Sequence, residues 1–242
     1  MSMDIILVSL KKEIDLFLDL LTQVRKRRDS GVILYEGMLQ GNTVTVIRTG
    51  IGNKALAPSL FRNCRNVIST GFCGALVPGL KAGDVILSHE ILCADSDYLS
   101  YIFSKRDEKT PHVEGLVRTV DVDEEAVSTL IEALRTEGFS VRGGRTVTAG
   151  KIIKTSIEKS VLHASTGAIS VDMEDYHRFQ CAEQLNVQFV SIRSVLDSVE
   201  DEIPGFKRGF HCASDLSALL RNVSSAQTAI AVSLEKLFSL KT

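Results

Sequence analysis

The sequence predicts a three-layer α/β fold built on a central mixed, largely parallel twisted sheet, and three observations lead there. Short β-branched runs alternate with stretches of helical period, the pattern of strands joined by crossover helices. Glycines follow two apolar runs directly, at 50–52 and 71–74, as they do where the carboxyl end of a strand must approach a ligand closely. Gly41-Asn42 between two strand patterns reads as a tight hairpin, which adds an antiparallel pair to the sheet.

Strands are expected over residues 4–10, 32–39, 43–49, 66–70, 84–93, 141–149, 168–173 and 188–195, where the short β-branched runs fall. Helices are expected over 11–24, 123–137, 156–163 and 174–185, with one or two more across 212–240. In that last stretch Ala226, Ile230, Leu234, Leu237 and Leu240 recur at helical spacing and form a face for packing on the sheet. Residues 96–111 are polar, Asp-rich and aperiodic, and read as a loop, either solvated or a flap over a site. With 242 residues, 44% hydrophobic, and no repeats or low-complexity linker, the chain is expected to form one domain over 1–242.

Composition narrows the partners. A formal net charge of -2 supplies no excess of positive charge for a phosphate backbone, so nucleic acid is not an expected partner. The opening MSMDIILVSLKKEIDLFLDLL lacks a basic region before its apolar run and is interrupted by Asp4, Glu13, Asp15 and Asp19, so neither a signal peptide nor a membrane span is expected. Cys64, Cys73, Cys93, Cys181 and Cys212 are odd in number, scattered and without metal-ligand spacing. They read as small buried hydrophobes, reduced in a cytoplasm. The five histidines are too dispersed for a metal centre or a triad; only His177, one turn after Glu174, stands where it can line a pocket. No metal and no cofactor are expected.

Two glycine signals compete. Gly50-Ile51-Gly52-Asn53-Lys54-Ala55 follows an apolar strand, opens a helical stretch and nominally matches a dinucleotide fingerprint. The next strand, however, ends in Ser69-Thr70-Gly71 without the carboxylate that would hold a ribose hydroxyl. The second cluster, Thr70-Gly71-Phe72-Cys73-Gly74-Ala75-Leu76 continuing through Pro78-Gly79 to Gly83-Asp84, places four glycines in thirteen residues, more than a structural turn needs. It reads as a loop that cradles a ligand, with Gly71, Phe72, Cys73 and Gly74 as candidate binding positions.

The Gly-Ile-Gly turn, the strand ending in TGFCGALVPGLKAGDVILSHE, the segment Ile169-Ser170-Val171-Asp172-Met173-Glu174-Asp175 and Ile192-Arg193-Ser194-Val195-Leu196-Asp197 together resemble the nucleoside phosphorylase and nucleosidase superfamily, in order and spacing, over roughly residues 3 to 200. LHASTGAISVDMED with the GFCGAL loop looks closest to the branch associated with hopanoid synthesis, thought to act on adenosylhopane, with methylthioadenosine/S-adenosylhomocysteine nucleosidases and futalosine hydrolases as near alternatives. The resemblance implies a phosphorylase/hydrolase-like fold, a purine nucleoside or 5′-substituted adenosine as substrate, and a homodimer or larger homo-oligomer with sites near the interface.

Cleaving a ribosyl C–N bond through an oxocarbenium-like transition state asks for an acid at the departing base, a carboxylate at the sugar and a nucleophile on the opposite face. Asp197, ending an apolar strand, is expected to be that acid, its proton affinity raised by burial; a helix N-cap is the plainer alternative. The resemblance gives Glu174 the ribose hydroxyls, against an ordinary helix-start carboxylate; alternation along the strand end lets Val171 and Met173 pack or flank the sugar, and Asp172 and Ile152 are further candidate binding positions. It gives Glu13 the activation of water, although Lys11-Lys12-Glu13 equally suits a solvated first turn. Arg193 is expected to orient the water or Glu174, or else to form a surface ion pair.

Hydrolysis is favoured over phosphorolysis, because the places where bacterial phosphorylases carry an Arg and a Ser hold Ser69 and Phe72 here, and Leu10-Lys11-Lys12 stands where a phosphate loop would. Phe72 also departs from nucleosidases that carry Ser, and Thr148-Ala149-Gly150-Lys151-Ile152-Ile153 lacks a base-stacking aromatic, a role that Phe72 is left to fill. A nucleoside-binding protein without turnover and an NAD-dependent oxidoreductase are the competing readings.

Overall fold

A strand covered on both faces needs apolar side chains at successive positions, and Ile5, Ile6, Leu7 and Val8 meet that demand. In the computed structural model all four are fully buried in β1 (Met3–Val8). The structure describes residues 3–104, 117–120, 124–202 and 213–240. β1 lies in parallel between β4 (Asn42–Arg48) and β5 (Cys64–Ala75). Beyond β4 the sheet continues antiparallel through β3 (Val32–Leu39) to β2 (Thr22–Asp29). The β3–β4 turn has φ of 48° at Gln40 and 82° at Gly41, the paired positive values of a turn that matches the twist of a hairpin.

On the other side β5 runs parallel to β10 (Gln188–Asp197), while its end, at Gly74 and Ala75, pairs with β9 (Ser170–Asp172). β10 pairs with β6 (Val85–Ala94), β6 with β8 (Val141–Ala149), and β8 with β9. β5, β10, β6, β8 and β9 therefore close on one another as a small barrel at one end of the sheet, with β7 (Val117–Thr119) added to β6.

Alternation along β1 divides the core. Ile6 and Val8 pack with Phe17 of α1 (Asp15–Leu18), Leu130 and Leu134 of α3 (Glu124–Thr136), and Leu234 and Phe238 of α6 (Ala213–Ser239). Ile5 and Leu7 face Ala182 of α5 (Asp175–Gln184) and Phe189. Leu99 of α2 (Ser96–Ser104) and Leu162 of α4 (Ser156–Thr166) cover the barrel end. α4 opens on a capping box, in which the Glu158 amide donates to Thr155 Oγ1 at 3.1 Å and the Thr155 amide to Glu158 Oε2 at 3.2 Å.

Three expectations need correction. The helix over 11–24 reduces to a 3-10 turn at Lys11–Glu13 and the single turn of α1, after which β2 begins. β2 is exposed from Thr22 to Arg28 and, apart from Val24, polar or charged there, so no apolar alternation announces it; it is a charged strand at the rim of the sheet. Residues 96–104 of the expected loop form α2, whose buried Leu99 and Ile102 stand three apart, while 105–111 lie outside the described residues. No α-helix follows Gly52: Pro58 starts a 3-10 turn, Pro58–Phe61, instead. Of the expected helix over 123–137, residue 123 lies outside the described residues, and so do Cys212, His112 and His211; the C-terminal stretch is one helix, α6. Among the described residues no helix is long and apolar enough to cross a membrane.

Candidate active site

Arg193 is fully buried on β10, and a buried guanidinium, which cannot give up its charge, demands acceptors. Asp175 supplies two: Oδ2 accepts from Nε at 3.0 Å, and Oδ1 accepts from Nη2. Asp172 Oδ2 lies 2.6 Å from Nη2, and Ser69 Oγ accepts from the same nitrogen at 3.3 Å. Among the described residues Nη1 has no hydrogen-bond acceptor, and it faces Glu174 Oε2 at 3.6 Å. The Ser69 and Ser191 hydroxyls each donate to Asp175 at 2.5 Å. Burial by itself would raise the proton affinity of Asp175, but Arg193 and these hydroxyls outweigh it and hold the carboxyl below its usual range. Asp172 is pushed the other way: burial, with Asp175 and Glu174 beside it, raises it to about 7 despite Arg193.

Glu13 reaches this cluster because the 3-10 turn after β1 folds its side chain back over the strand end. Its Oε2 accepts from the amides of Ser9 at 3.1 Å and Leu10 at 2.6 Å, and its Oε1 from the amide of Phe72 at 3.1 Å. Burial raises its proton affinity above that of an ordinary glutamate, while the amides of Leu10 and Phe72, then Arg193 and Arg178, pull it part of the way back. A Cβ on Gly71 would stand 2.8 Å from both Glu13 Oε1 and Arg193 Nη1, so glycine at that position is what lets the two groups face each other.

Glu174 is the N-cap residue of α5, and its Oε1 accepts from the Gly52 amide at 3.0 Å. The Gly-Ile-Gly turn thus anchors a carboxylate from 122 positions along the chain rather than opening a dinucleotide helix. Arg178, one turn into α5, is buried among β-strand ends: Nη1 donates to Leu7 O at 3.2 Å, Ser69 Oγ at 2.9 Å and Thr70 O at 3.3 Å, and Nη2 to Ser9 Oγ at 2.8 Å and Thr49 Oγ1 at 3.2 Å. A cavity of about 200 Å³ opens beside Glu174 and Arg178, lined also by Gly52, Lys54, Ala55 and His177. Asp197 does not line it.

Asp197 ends β10 opposite Gly74 of β5, close enough that a Cβ on Gly74 would lie 3.1 Å from Oδ2. Burial raises its proton affinity, and Lys159, whose Nζ is 2.6 Å from Oδ2, opposes that rise without cancelling it. Gly71 and Gly74 are three residues apart on one strand, about 10 Å at the rise of extended chain. The Glu13–Arg193–Glu174 cluster and Asp197 therefore stand at two ends of one glycine-lined strand segment, near the carboxyl ends of β1, β5 and β10, where ligands of open α/β sheets bind.

Of the residues singled out in the sequence, Glu13, Gly71, Asp172, Glu174 and Arg193 come together, with Gly74 and Asp197 further along the strand. Arg193 forms a buried ion pair rather than a surface one. Asp172 lies beneath the cluster, bound by the Thr148 hydroxyl at 2.6 Å and the Asp175 amide at 2.9 Å. Phe72 contributes its amide, and its half-buried ring packs against the core on the α6 side. The Cys73 side chain packs with Ala75, Leu80, Ile86 and Val195, so only its backbone can meet a ligand. Of the four described cysteines only Cys73 is buried; all four are free thiols. Met173 is half-buried between Asp172 and Glu174, and Ile152 is exposed just after β8.

Sequence reasoning missed Ser69, Asp175, Arg178, Ser191 and Lys159. Asp175 and Arg178 leave a trace, an opposite-charge pair three apart on a helix whose neighbours are strand ends; Lys159 leaves none.

Residues 4–230 match the model of a family described as the phosphorylase superfamily. A 5′-methylthioadenosine/S-adenosylhomocysteine nucleosidase of Exiguobacterium is 27% identical over 204 residues, covering 81% of this chain and 85% of that protein. Among solved structures, the 5′-methylthioadenosine/S-adenosylhomocysteine nucleosidase of Neisseria meningitidis in complex with methylthio-immucillin-A superposes with a TM-score of 0.76 at 23% identity, covering 98% of this chain and 99% of that one. The futalosine hydrolase of Helicobacter pylori superposes with a TM-score of 0.77 at 16% identity, covering 98% and 97%. Both share the α/β architecture described above. With the family model spanning nearly the whole chain and the same sheet recurring in these structures, the chain belongs to the phosphorylase superfamily.

Proposed function

We propose that this chain is a nucleosidase that hydrolyses the N-glycosidic bond of a purine nucleoside or 5′-substituted adenosine. The observation that carries the reading is that Glu13 Oε1 and Arg193 Nη1 face each other across Gly71. Glu13, its proton affinity raised by burial, is a general base for a water at C1′ of the ribose. Glu174 receives the ribose hydroxyls and Arg193 orients both carboxylates. Asp197 protonates the departing base, while Gly71 to Gly74 let the strand backbone lie against the substrate. The substrate class is supported by the nucleosidases and the futalosine hydrolase among the relatives.

Water, rather than phosphate, fits the charge of the cluster. Two guanidiniums, Arg178 and Arg193, meet four carboxylates, Glu13, Asp172, Glu174 and Asp175, and Arg178 spends its guanidinium on protein oxygens. A dianion entering there is repelled. The same reading holds a cytoplasmic homo-oligomer of one-domain subunits, supported by the free thiols and by exposed apolar side chains at Leu10, Leu16, Leu20 and Ile51. Size-exclusion chromatography showing a monomer counts against that assembly.

The test is base release from a panel of 5′-methylthioadenosine, S-adenosylhomocysteine, adenosine and inosine, with and without phosphate. Expected is free base and free sugar in phosphate-free buffer, with no acceleration by phosphate. Release that requires phosphate points to a phosphorylase, and absence of release to a binding protein; either overturns the proposal.

A further inference from the structure

Lys159 is a fully buried lysine on α4, 38 positions before Asp197 in the sequence, yet its Nζ stands 2.6 Å from Asp197 Oδ2. The same nitrogen donates to the carbonyl oxygens of Ser198 at 2.5 Å and Asp201 at 2.9 Å. An ammonium has three hydrogens and no acceptor, and here each has an oxygen. The two carbonyls belong to the turn that follows β10, which is itself closed by the Ser198 amide donating to Asp201 Oδ2 at 2.8 Å. Lys159 is thus aimed at the oxygens around Asp197 and has no donor left for a ligand. Packing alone does not call for this: burying an amine is costly unless its charge is matched, and the charge that matches it is the Asp197 carboxylate.

We propose that Lys159 is a positioning residue for the proton donor: its ammonium holds Oδ2 of Asp197, keeps the carboxylate ionised between turnovers, and leaves Oδ1 to meet the departing base. This rests on the nucleosidase reading given above. A consequence follows for the proton. An ionised Asp197 has none to give, so one is taken up from solvent at Oδ1 when the base fills the pocket. It then passes to the base nitrogen as the C1′–N bond breaks and the bonding electrons leave with the base. Water supplies hydroxyl to C1′ and its proton to Glu13, which returns it to solvent, so the uptake at Asp197 and the release at Glu13 balance. Among the described residues, the titratable groups that face Asp197 are Lys159 from α4, Asp201 from the following turn and Cys73 from β5; of these only Lys159 favours the ionised form.

The experiment follows the Asp197 carboxyl carbon by NMR during a pH titration of the full chain, in the wild type and in Lys159→Gln, Lys159→Met and Lys159→Arg. An opposite charge at this range lowers a carboxyl by about 1–3 units. Lys159→Gln and Lys159→Met should therefore titrate about one unit or more higher than the wild type, and Lys159→Arg should restore the wild-type value. In kinetics, the alkaline limb of kcat/KM should move upward by the same amount in Lys159→Gln and return in Lys159→Arg. An unmoved titration, with turnover lowered uniformly across pH, overturns the proposal and leaves Lys159 a structural tie. Should the substituted chains fail to fold, the wild type decides: an Asp197 carboxyl ionised at pH 7 supports the proposal, and a protonated one overturns it. Base release by the wild type tests the nucleosidase reading without touching Lys159, and the titration tests Lys159 even in a chain that turns over nothing.

Discussion

Arg193 grips Asp175 with two of its nitrogens while both side chains are fully buried beneath Glu13 and Glu174. The pair fixes which way the guanidinium faces. With Nε and Nη2 committed to Asp175, Asp172 and Ser69, Nη1 is the edge left to meet the two carboxylates of the site.

Removing Asp175 leaves a buried guanidinium with half its partners gone, so Asp175→Ala is expected to cost about 3–5 kcal/mol of stability at pH 7. The folded-state proton affinity of Asp175 lies below its ordinary value, so its contribution is present above the ordinary carboxylate range and is lost as pH falls through the depressed value. The gap in urea midpoint between variant and wild type should therefore narrow in strong acid. Equal midpoints at pH 7 would show that the pair does not hold the fold.

Gly71→Ala tests the facing of Glu13 and Arg193. The added methyl would lie 2.8 Å from an atom of each, and φ at Gly71 is 148°, in a region that side chains rarely adopt. Catalytic geometry is sensitive to displacements of an ångström, and a loss of about 100-fold in kcat/KM is expected with the far-ultraviolet circular dichroism retained. Near-normal turnover would separate Glu13 from the chemistry.

Glu13 must be ionised to accept a proton, and burial raises the pH at which it becomes so. The acid limb of kcat/KM is expected above the ordinary glutamate value of 4.5, with activity rising as pH rises through it. Glu13→Gln should lower kcat by about 100-fold to 10,000-fold and abolish that limb, as a pH–rate profile would show. A limb that persists in the variant belongs to another group.

What the sequence discloses of this fold follows from burial. β3 carries an apolar run and β8 a β-branched one over residues 146–148, and the bounds of both agree with those expected from the sequence. The turn at Gly41 needs positive φ, and glycine advertises it. β2 is hidden because an exposed edge strand has no apolar face to display, and α2 because only Leu99 and Ile102 of its nine residues are buried. The site divides in the same way. Glu13, Glu174, Arg193 and Asp197 stand in recognisable motifs, whereas Lys159 acts from a helix whose local sequence is that of an ordinary amphipathic segment. Its partner lies 38 positions away, a separation no periodicity encodes. Ser69 and Ser191 are equally silent, since a serine in a strand gains its meaning only when a buried carboxylate is placed beside it.

Asp197→Asn keeps the side chain's size and removes both its acidity and its charge. The amide cannot deliver a proton to the base, so kcat should fall by about 100-fold to 10,000-fold. It also leaves Lys159 with a neutral partner, so a loss of stability should accompany the loss of rate, measurable as a lower urea midpoint. A variant that keeps the wild-type rate shows that the acid is elsewhere.

Glu174→Gln separates binding from catalysis. Glutamine keeps an oxygen for the Gly52 amide, so the link between the Gly-Ile-Gly turn and α5 should survive and the midpoint of thermal unfolding should change little. The charge facing Arg193 Nη1 is lost, and with it the anion that opposes positive charge developing on the sugar. An interaction that strengthens only in the transition state appears in kcat rather than KM, so kcat is expected to fall by more than KM rises. If KM alone rises, Glu174 holds the sugar equally in the ground and transition states, and stabilisation of the developing charge falls to Glu13 or Asp172.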